Sequence, residues 1–304
     1  MVQALLIKQI VIPRQDAKDS RARERARPPV VDSLSRARRA SMPAIDFKAL
    51  LRTELAAARA VASVESSSSS VPFPNGLVDT RSAPLTPHDA RSLGGVRGLA
   101  YVSEFMGPRD SDALERALTE TSPSAWWTAA TGDGRRVFNA GGTSPSTRFK
   151  GEEDLKRVPG YLRAIMERLR EVGAMRDAPN HVLANEYAVG GGIEPHSDGD
   201  CYARDVCILT LRGGALIEFW PRQGAVTREG EDAPGGPRPV VSVLLEPGSL
   251  LMYSDEAYEL RHGIRRNTVD VVTETTANVD SRRVGERVHR NPEGRVSVVF
   301  VCKK

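Results

Sequence analysis

The chain has 304 residues and a formal net charge of +4 at neutral pH, with three cysteines and five histidines. This length fits one large domain with appendages as well as it fits two domains. No run of eighteen or more apolar residues occurs, which excludes a transmembrane helix. The cysteines lack the spacing of a disulfide framework or a thiolate zinc site, so we expect a soluble protein of a reducing compartment.

The first part of the chain, residues 1–94, is predicted to be a basic and largely disordered leader. Residues 1–60 hold 13 Lys and Arg against 6 Asp and Glu, a net charge of +7 that leaves −3 for the rest. RQDAKDSRARERARPPVVDSLSRARRAS has no apolar periodicity. IDFKALLRTELAAARAVASV predicts one helix, and ESSSSSVPFPNG predicts a linker. The folded domain is therefore expected to span residues 95–304.

Two helices are predicted in the first half of this domain. SDALERALTE begins with Ser111, a residue type that caps helix N-termini. GYLRAIMERLREVGAM predicts a second helix with one apolar face. That face is formed by Leu162, Ile165, Met166 and Leu169. Between the helices, Trp126, Trp127 and Phe138 are expected in the core rather than on a surface that stacks with bases. Arg135 and Arg136 are expected to be a solvated pair in a glycine-flanked turn rather than contacts for phosphates.

From residue 181 onward the sequence consists of short strand-like runs separated by Gly and Pro. The runs are HVLANEYAV, DVCILTLR, ALIEFWPR, VSVLLEP, SLLMYS and RVSVVFV. RGGA, between the second run and the third, is a hairpin signal. Many short strands in series predict a sandwich or barrel, so the expected fold class is mainly β with supporting α-helices.

The segment NEYAVGGGIEPHSDGD places His196 and Asp198 two residues apart at the end of a predicted strand. On an extended backbone both side chains face the same side and can bind one metal ion. A site with two histidines and one carboxylate needs a further imidazole, and His262 in YELRHGIRR is the best-placed candidate. The remaining histidines are predicted to be surface or structural groups: His88, His181 and His289.

Several ordered blocks resemble the AlkB-like iron(II) and 2-oxoglutarate dioxygenases, most of all the subgroup-six AlkB homologues. NEYAVGGGIEPHSDG is similar to the family element N-x-Y-x-x-G…H-x-D, and VLLEPGSLLMYSDEAYELRHGI and the terminal RVSVVFV resemble further blocks. NAGG, from Asn139, and the Trp126-Trp127 region also resemble that subgroup. The similarity covers roughly residues 97–301. It implies a double-stranded β-helix, which is a jelly roll with helices packed on one side.

The resemblance also implies a set of site residues. It assigns Fe(II) binding to His196, Asp198 and His262, and 2-oxoglutarate binding to Asn185, Tyr187 and Arg295. A planar guanidinium suits the far carboxylate of 2-oxoglutarate because it can donate two parallel hydrogen bonds. The third substrate implied is O₂, and three protein ligands on one face of the iron leave positions open for both small molecules.

The chain departs from the family pattern close to its C-terminus. The family has a second arginine six residues after the first, where this chain has Val301. Lys303 has the strand parity of Arg295, but an ammonium group is not a forked donor. The departure bears on how the co-substrate or substrate is positioned, and it removes no iron ligand.

Three functions remain open from the sequence. The first is oxidative demethylation of an N-alkylated nucleic acid, or of a protein, with release of succinate, CO₂ and formaldehyde. The second is a catalytically retired jelly roll that binds nucleic acid or another partner, which the missing arginine and the basic leader would fit. The third is a zinc hydrolase, which is weaker because no helical glutamate base accompanies the motif. We expect a monomer of the cytoplasm and/or nucleus with no membrane association.

Overall fold

The computed structural model describes residues 85–121, 126–128, 134–141, 149–222 and 238–304. The predicted leader helix and the serine-rich linker lie outside these residues, and so does most of the polar segment 222–240. Within the described ranges, no helix is both long enough and apolar enough to cross a membrane. The predicted domain boundary near residue 95 stays a prediction, although Leu85 already donates a backbone hydrogen bond to Val172 (2.9 Å).

Short antiparallel strands dominate the described residues. The strands are β1 (Ser92–Leu93), β2 (Val96–Arg97), β3 (Leu99–Val102), β4 (Trp127–Thr128), β5 (Arg136–Ala140), β6 (His181–Tyr187), β7 (Ile193–His196), β8 (Tyr202–Arg212), β9 (Ala215–Trp220), β10 (Val241–Leu245), β11 (Leu250–Ser254), β12 (Arg261–Ile264), β13 (Val269–Val271), β14 (Arg287–His289) and β15 (Arg295–Lys303). The helices are α1 (Pro108–Thr121), α2 (Glu152–Leu155), α3 (Gly160–Glu171) and α4 (Asp255–Glu259).

Two sheets form the body of the fold. The larger sheet has the strand order β3-β11-β8-β15-β6-β5-β4, and the smaller one has the order β10-β9-β12-β7. Neighbouring strands in sequence are often not neighbours in the sheets, because β8, β11 and β15 pair in one sheet while β9, β10 and β12 pair in the other. This crossing of strands between two antiparallel sheets is a jelly roll, as the family resemblance implied.

Alternation along β15 shows how the two sides of the larger sheet are used. Val298 and Phe300 pack with the apolar faces of α1 and α3, whereas Val301 joins a second core. The second core lies between the sheets, because it combines Tyr253 of the larger sheet with Phe219 of the smaller one. The helices therefore cover one face of the larger sheet, and its other face looks into the space between the sheets.

The helix boundaries differ from those predicted. Helix α1 begins at Pro108, and the Ser111 backbone amide donates to the Gly107 carbonyl (3.0 Å), so the prediction that Ser111 caps this helix is wrong. Proline occupies the first helical turn without cost because it has no amide hydrogen to satisfy. Helix α3 buries the predicted apolar face but ends at Glu171, because Gly173 adopts a φ of 71° that terminates the helix.

Candidate metal centre

The three predicted metal ligands come together at one edge of the space between the sheets. His196 is the last residue of β7, and His262 lies directly opposite it on β12. Their ring centroids are 4.5 Å apart. Asp198 follows β7 by two residues, and the ligand atoms of all three residues lie within 4.8 Å of one another. The side chains thus converge as the spacing H-x-D and the position of His262 predicted.

Gly263 explains how β12 can lie so close to β7. A Cβ atom at this position would be 2.7 Å from the Ile193 carbonyl oxygen and 2.9 Å from the Pro195 nitrogen. Both distances are shorter than van der Waals contact, so any larger residue would push the two strands apart. The glycine that follows His262 therefore keeps the two imidazoles within reach of one ion.

The chemistry of His196 suits a metal ligand. Burial, followed by the neighbouring His262, lowers the pKa of His196 to about 4, and the positive charge of Arg135 acts in the same direction. The ring is therefore neutral at physiological pH, which is the form that binds metals. Its Nδ1 lies 2.9 Å from the Glu194 carbonyl oxygen. Because a carbonyl only accepts, Nδ1 carries the hydrogen and Nε2 presents the lone pair.

Tyr253 of β11 supports the ligands from the opposite sheet, and sequence analysis missed it. Its side chain is buried, and its hydroxyl donates to Asp198 Oδ2 (2.7 Å). The hydroxyl oxygen of Tyr253 also lies 3.3 Å from His262 Nε2. The hydroxyl therefore orients the carboxylate and contacts one imidazole. The run SLLMYS contains this tyrosine but gives no sign of its partners, because both lie on other strands or loops.

We expect Tyr253→Phe to weaken binding of Fe(II) by about 10- to 100-fold, because hydrogen bonds to the ligands of a metal orient them and tune their basicity. Titration with Co(II), followed by its visible absorption, measures this affinity without oxidation. Tyr258→Phe is the matched control, because the Tyr258 hydroxyl donates to the Gly199 carbonyl (3.3 Å) and not to a ligand side chain. Equal Co(II) affinities in wild type and Tyr253→Phe would contradict the orienting role.

Arg295 is a buried guanidinium held by neutral groups. It is 5% exposed, and it donates to the Gly213 carbonyl (2.9 Å) and to Thr210 Oγ1 (3.2 Å). Its Nε is buried without a hydrogen-bond partner. Burial lowers the pKa of Arg295 to about 10. The guanidinium is therefore a cationic hydrogen-bond donor that can bind the carboxylate of a ligand.

Asn185 and Tyr187 lie beside Arg295 on the neighbouring strand. In the pairing of β6 with β15, Tyr187 is opposite Arg295 and Asn185 is opposite Ser297. Directly opposed side chains of antiparallel strands point to the same face, so all these residues look into the space between the sheets. Asn185 and Tyr187 are each 7% exposed. The structure thus places the three predicted co-substrate residues side by side.

Arg135 differs from its prediction as a solvated loop residue. It is buried, donates to Asn185 Oδ1 (3.1 Å), and its guanidinium carbon lies 5.8 Å from the centre of the Tyr187 ring. Arg136, in contrast, begins β5 and forms an exposed ion pair with Glu186 (2.7 Å). The prediction was wrong because strand alternation separates the two arginines: one faces the site and the other faces solvent.

The other residues that the sequence analysis discussed near the site are buried in the core. Trp126 and Phe138 are buried with ring centroids 5.9 Å apart, as expected for core residues, whereas the side chain of Trp127 lies outside the described part. Val301 is 3% exposed and pairs with His181 and Val206. Lys303 is also 3% exposed. Position 301 therefore presents an apolar side chain where the family pattern has a guanidinium.

A jelly roll that gathers two imidazoles and one carboxylate beside a buried guanidinium is the architecture of a non-haem iron enzyme with an acidic co-substrate. The chain belongs to the 2OG-Fe(II) oxygenase superfamily, whose family model matches residues 98–288. It is therefore an oxidoreductase that uses Fe²⁺, 2-oxoglutarate and O₂. The fold class and the AlkB-like resemblance predicted from the sequence are confirmed.

Individual relatives and solved structures are also similar to the chain. A Danio rerio protein named "Probable RNA/DNA demethylase ALKBH6" is 30% identical over 209 residues, which is 67% of this chain and 85% of the relative. The structure of OsALKBH1 is similar with a TM-score of 0.40 and 19% identity, over 67% of this chain and 97% of that one. A Pseudomonas putida prolyl-4-hydroxylase has a TM-score of 0.39 and 12% identity, over 68% and 93%.

Proposed function

We propose that this oxygenase is an AlkB-type demethylase that acts on an N-alkylated nucleic acid. The observation that carries the proposal is the convergence of His196, Asp198 and His262 on one point, with the buried Arg295 on the facing sheet. The substrate class rests on the similarity to the Danio rerio relative, whose name describes an RNA/DNA demethylase. A monomeric state and a location in the cytoplasm and/or nucleus stay predictions.

The donor set fits iron. Two imidazole nitrogens and one carboxylate oxygen on one side of an ion are the ligands of non-haem Fe(II) oxygenases, and they leave positions free for small molecules. In the proposed reaction, the bound iron with O₂ and 2-oxoglutarate supplies the oxidation of an N-methyl C–H bond, with release of succinate and CO₂. The resulting N-hydroxymethyl group loses formaldehyde and leaves the demethylated amine.

The protein contributes binding, orientation and exclusion of water. Arg295 would bind the far carboxylate of 2-oxoglutarate, with Asn185 and Tyr187 lining the same corner. Tyr253 holds the carboxylate of Asp198 in position through its hydroxyl. Since all these side chains lie between two packed sheets, the co-substrate would bind in a largely dry environment where charged hydrogen bonds are strong.

The test is an anaerobic titration of the metal-free protein with Fe(II) and 2-oxoglutarate, followed by the visible charge-transfer band of the complex. We expect a band in wild type and none in His196→Ala. His289→Ala is the matched control, because His289 is exposed on β14 and should leave the band intact. A full band in His196→Ala would overturn the assignment of the metal centre.

The substrate is tested separately by the release of formaldehyde from methylated oligonucleotides in the presence of Fe(II), 2-oxoglutarate and O₂. Formaldehyde that depends on the methyl group and on His196 would support the demethylase. A normal charge-transfer band with no formaldehyde from methylated RNA or DNA would retain the oxygenase and reject the nucleic-acid substrate. Methylated peptides would then be the next substrates to measure.

A further inference from the structure

Small polar side chains form a row across the larger sheet, next to the proposed 2-oxoglutarate-binding residues Tyr187 and Arg295. Asn185 pairs with Ser297, and Ser297 pairs with Thr210, so the three residues lie side by side on β6, β15 and β8. Adjacent strands are about 4.8 Å apart, and the row therefore spans roughly 10 Å. All three side chains point to the same face because they are directly opposed cross-strand neighbours.

A guanidinium is bound at each end of this row. Arg295 donates to Thr210 Oγ1 at one end (3.2 Å), and Arg135 donates to Asn185 Oδ1 at the other (3.1 Å). The two arginines also lie on either side of Tyr187: Arg295 pairs with it across the strands, and Arg135 lies over its ring. Both side chains are buried, with exposures of 5% for Arg295 and 9% for Arg135.

The two guanidinium groups, one at each end of the row, match the two carboxylates of a dicarboxylate ligand. 2-Oxoglutarate carries one carboxylate at each end of a five-carbon chain, and a guanidinium is the protein group that best matches a carboxylate. The neighbouring Arg136 shows that burial of Arg135 does not simply follow from its place in the chain. Arg136 points away from the site and pairs with Glu186 in solvent.

Position 301 supplies no second cation on the strand that carries Arg295. Val301 lies on the same face of β15 as Arg295, but its apolar side chain packs into the core between the sheets. It cannot donate to a carboxylate. The guanidinium of Arg135, the residue before β5, would supply that cation without using β15.

We propose that Arg135 is a second guanidinium donor for 2-oxoglutarate and takes the place of the cation that position 301 lacks. The inference rests on the proposed co-substrate role of Arg295, Asn185 and Tyr187. It makes Arg135 a binding residue for the co-substrate rather than a contact for the phosphates of a nucleic acid.

The experiment measures binding of 2-oxoglutarate to the Fe(II)-loaded protein by anaerobic calorimetry, with no nucleic acid present. We expect Arg135→Gln, which retains a hydrogen-bond donor for Asn185, to raise the Kd by about 10- to 100-fold, since a hydrogen bond between ionised groups is lost. Arg135→Lys should give a smaller increase. Arg136→Gln is the matched control and should stay within about twofold of wild type, as should the Fe(II) affinity of every variant.

The outcomes separate this inference from the proposed function. An Arg135→Gln protein that binds 2-oxoglutarate like wild type, while Arg295→Met does not, would overturn the inference alone. Unchanged 2-oxoglutarate binding combined with weaker binding of a methylated oligonucleotide would also overturn it, by making Arg135 a substrate contact. Failure of wild type to bind 2-oxoglutarate would reject both. Thermal unfolding of each variant shows whether the fold is retained, and the Lys variant provides the test if Gln does not fold.

Discussion

Arg295→Met is expected to reduce the affinity for 2-oxoglutarate by two orders of magnitude or more while leaving the unliganded protein at least as stable. Loss of one partner from a buried charged pair costs about 2–5 kcal/mol of binding free energy. The unliganded protein behaves differently, because the Arg295 guanidinium is buried against neutral groups and its pKa is lowered to about 10. A charge buried in this way destabilises the folded state, and methionine fills similar space without that cost.

Both quantities are measurable on the same preparations. Calorimetry with 2-oxoglutarate gives the affinity, and urea unfolding without metal or co-substrate gives the free energy of unfolding. Thr210→Val is the matched variant, because it removes one neutral partner of the guanidinium and keeps the charge. If Arg295→Met instead lost more than about 2 kcal/mol of stability in the unliganded protein, Arg295 would be a structural residue and its role in ligand binding would be in question.

A large loss of folding stability is expected when the ion pair of Asp270 and Arg290 is broken, because this pair is almost completely buried. Arg290 donates to both carboxylate oxygens of Asp270 (2.9 Å each) and also to the Gly191 carbonyl (2.7 Å). The Leu216 amide donates to the same carboxylate (3.1 Å). The pair therefore ties the β13–β14 hairpin to β9 and to the glycine turn that precedes β7. Arg290→Met should lower the free energy of unfolding by about 3–5 kcal/mol, because it leaves a buried carboxylate unpaired.

Urea unfolding tests this expectation. Replacing both partners, in Asp270→Leu combined with Arg290→Met, should cost less than the two single changes together, since no buried charge then remains unpaired. Arg282→Met is the control from the same segment, because Arg282 pairs with Asp280 in solvent and should not change the urea midpoint. A midpoint for Arg290→Met equal to wild type would show that the buried pair contributes nothing to stability.

Much of the fold could be predicted because its signals are local. Apolar runs between Gly and Pro predicted six of the strands, namely β6, β8, β9, β10, β11 and β15. The spacing of Leu162 and Ile165 predicted the buried face of α3. The candidate metal ligands could be identified from the sequence for the same reason: His196 and Asp198 are close in sequence, and few histidines compete with His262. The helix start at Pro108 was missed because Ser111 is a good cap residue in isolation, and the proline that precedes it is equally suited to a first helical turn.

The parts that escaped prediction depend on pairing between distant strands. Tyr253 reaches Asp198 from the other sheet, and nothing in the run SLLMYS indicates which sheet its strand joins. Arg135 was assigned to solvent because two adjacent arginines look equivalent in the sequence. Only the pairing of β5 with β6 decides which one faces Asn185. A shift of one residue in that pairing would exchange their positions.

The candidate iron ligands and the proposed co-substrate residues lie on different sheets, and this placement affects thermal stability. His196 and His262 belong to the smaller sheet, whereas Tyr187 and Arg295 belong to the larger one. A molecule bound to the iron at one end and to a guanidinium at the other would connect the two sheets. Metal and co-substrate would then each raise the melting temperature more in the presence of the other, because together they resist separation of the two layers.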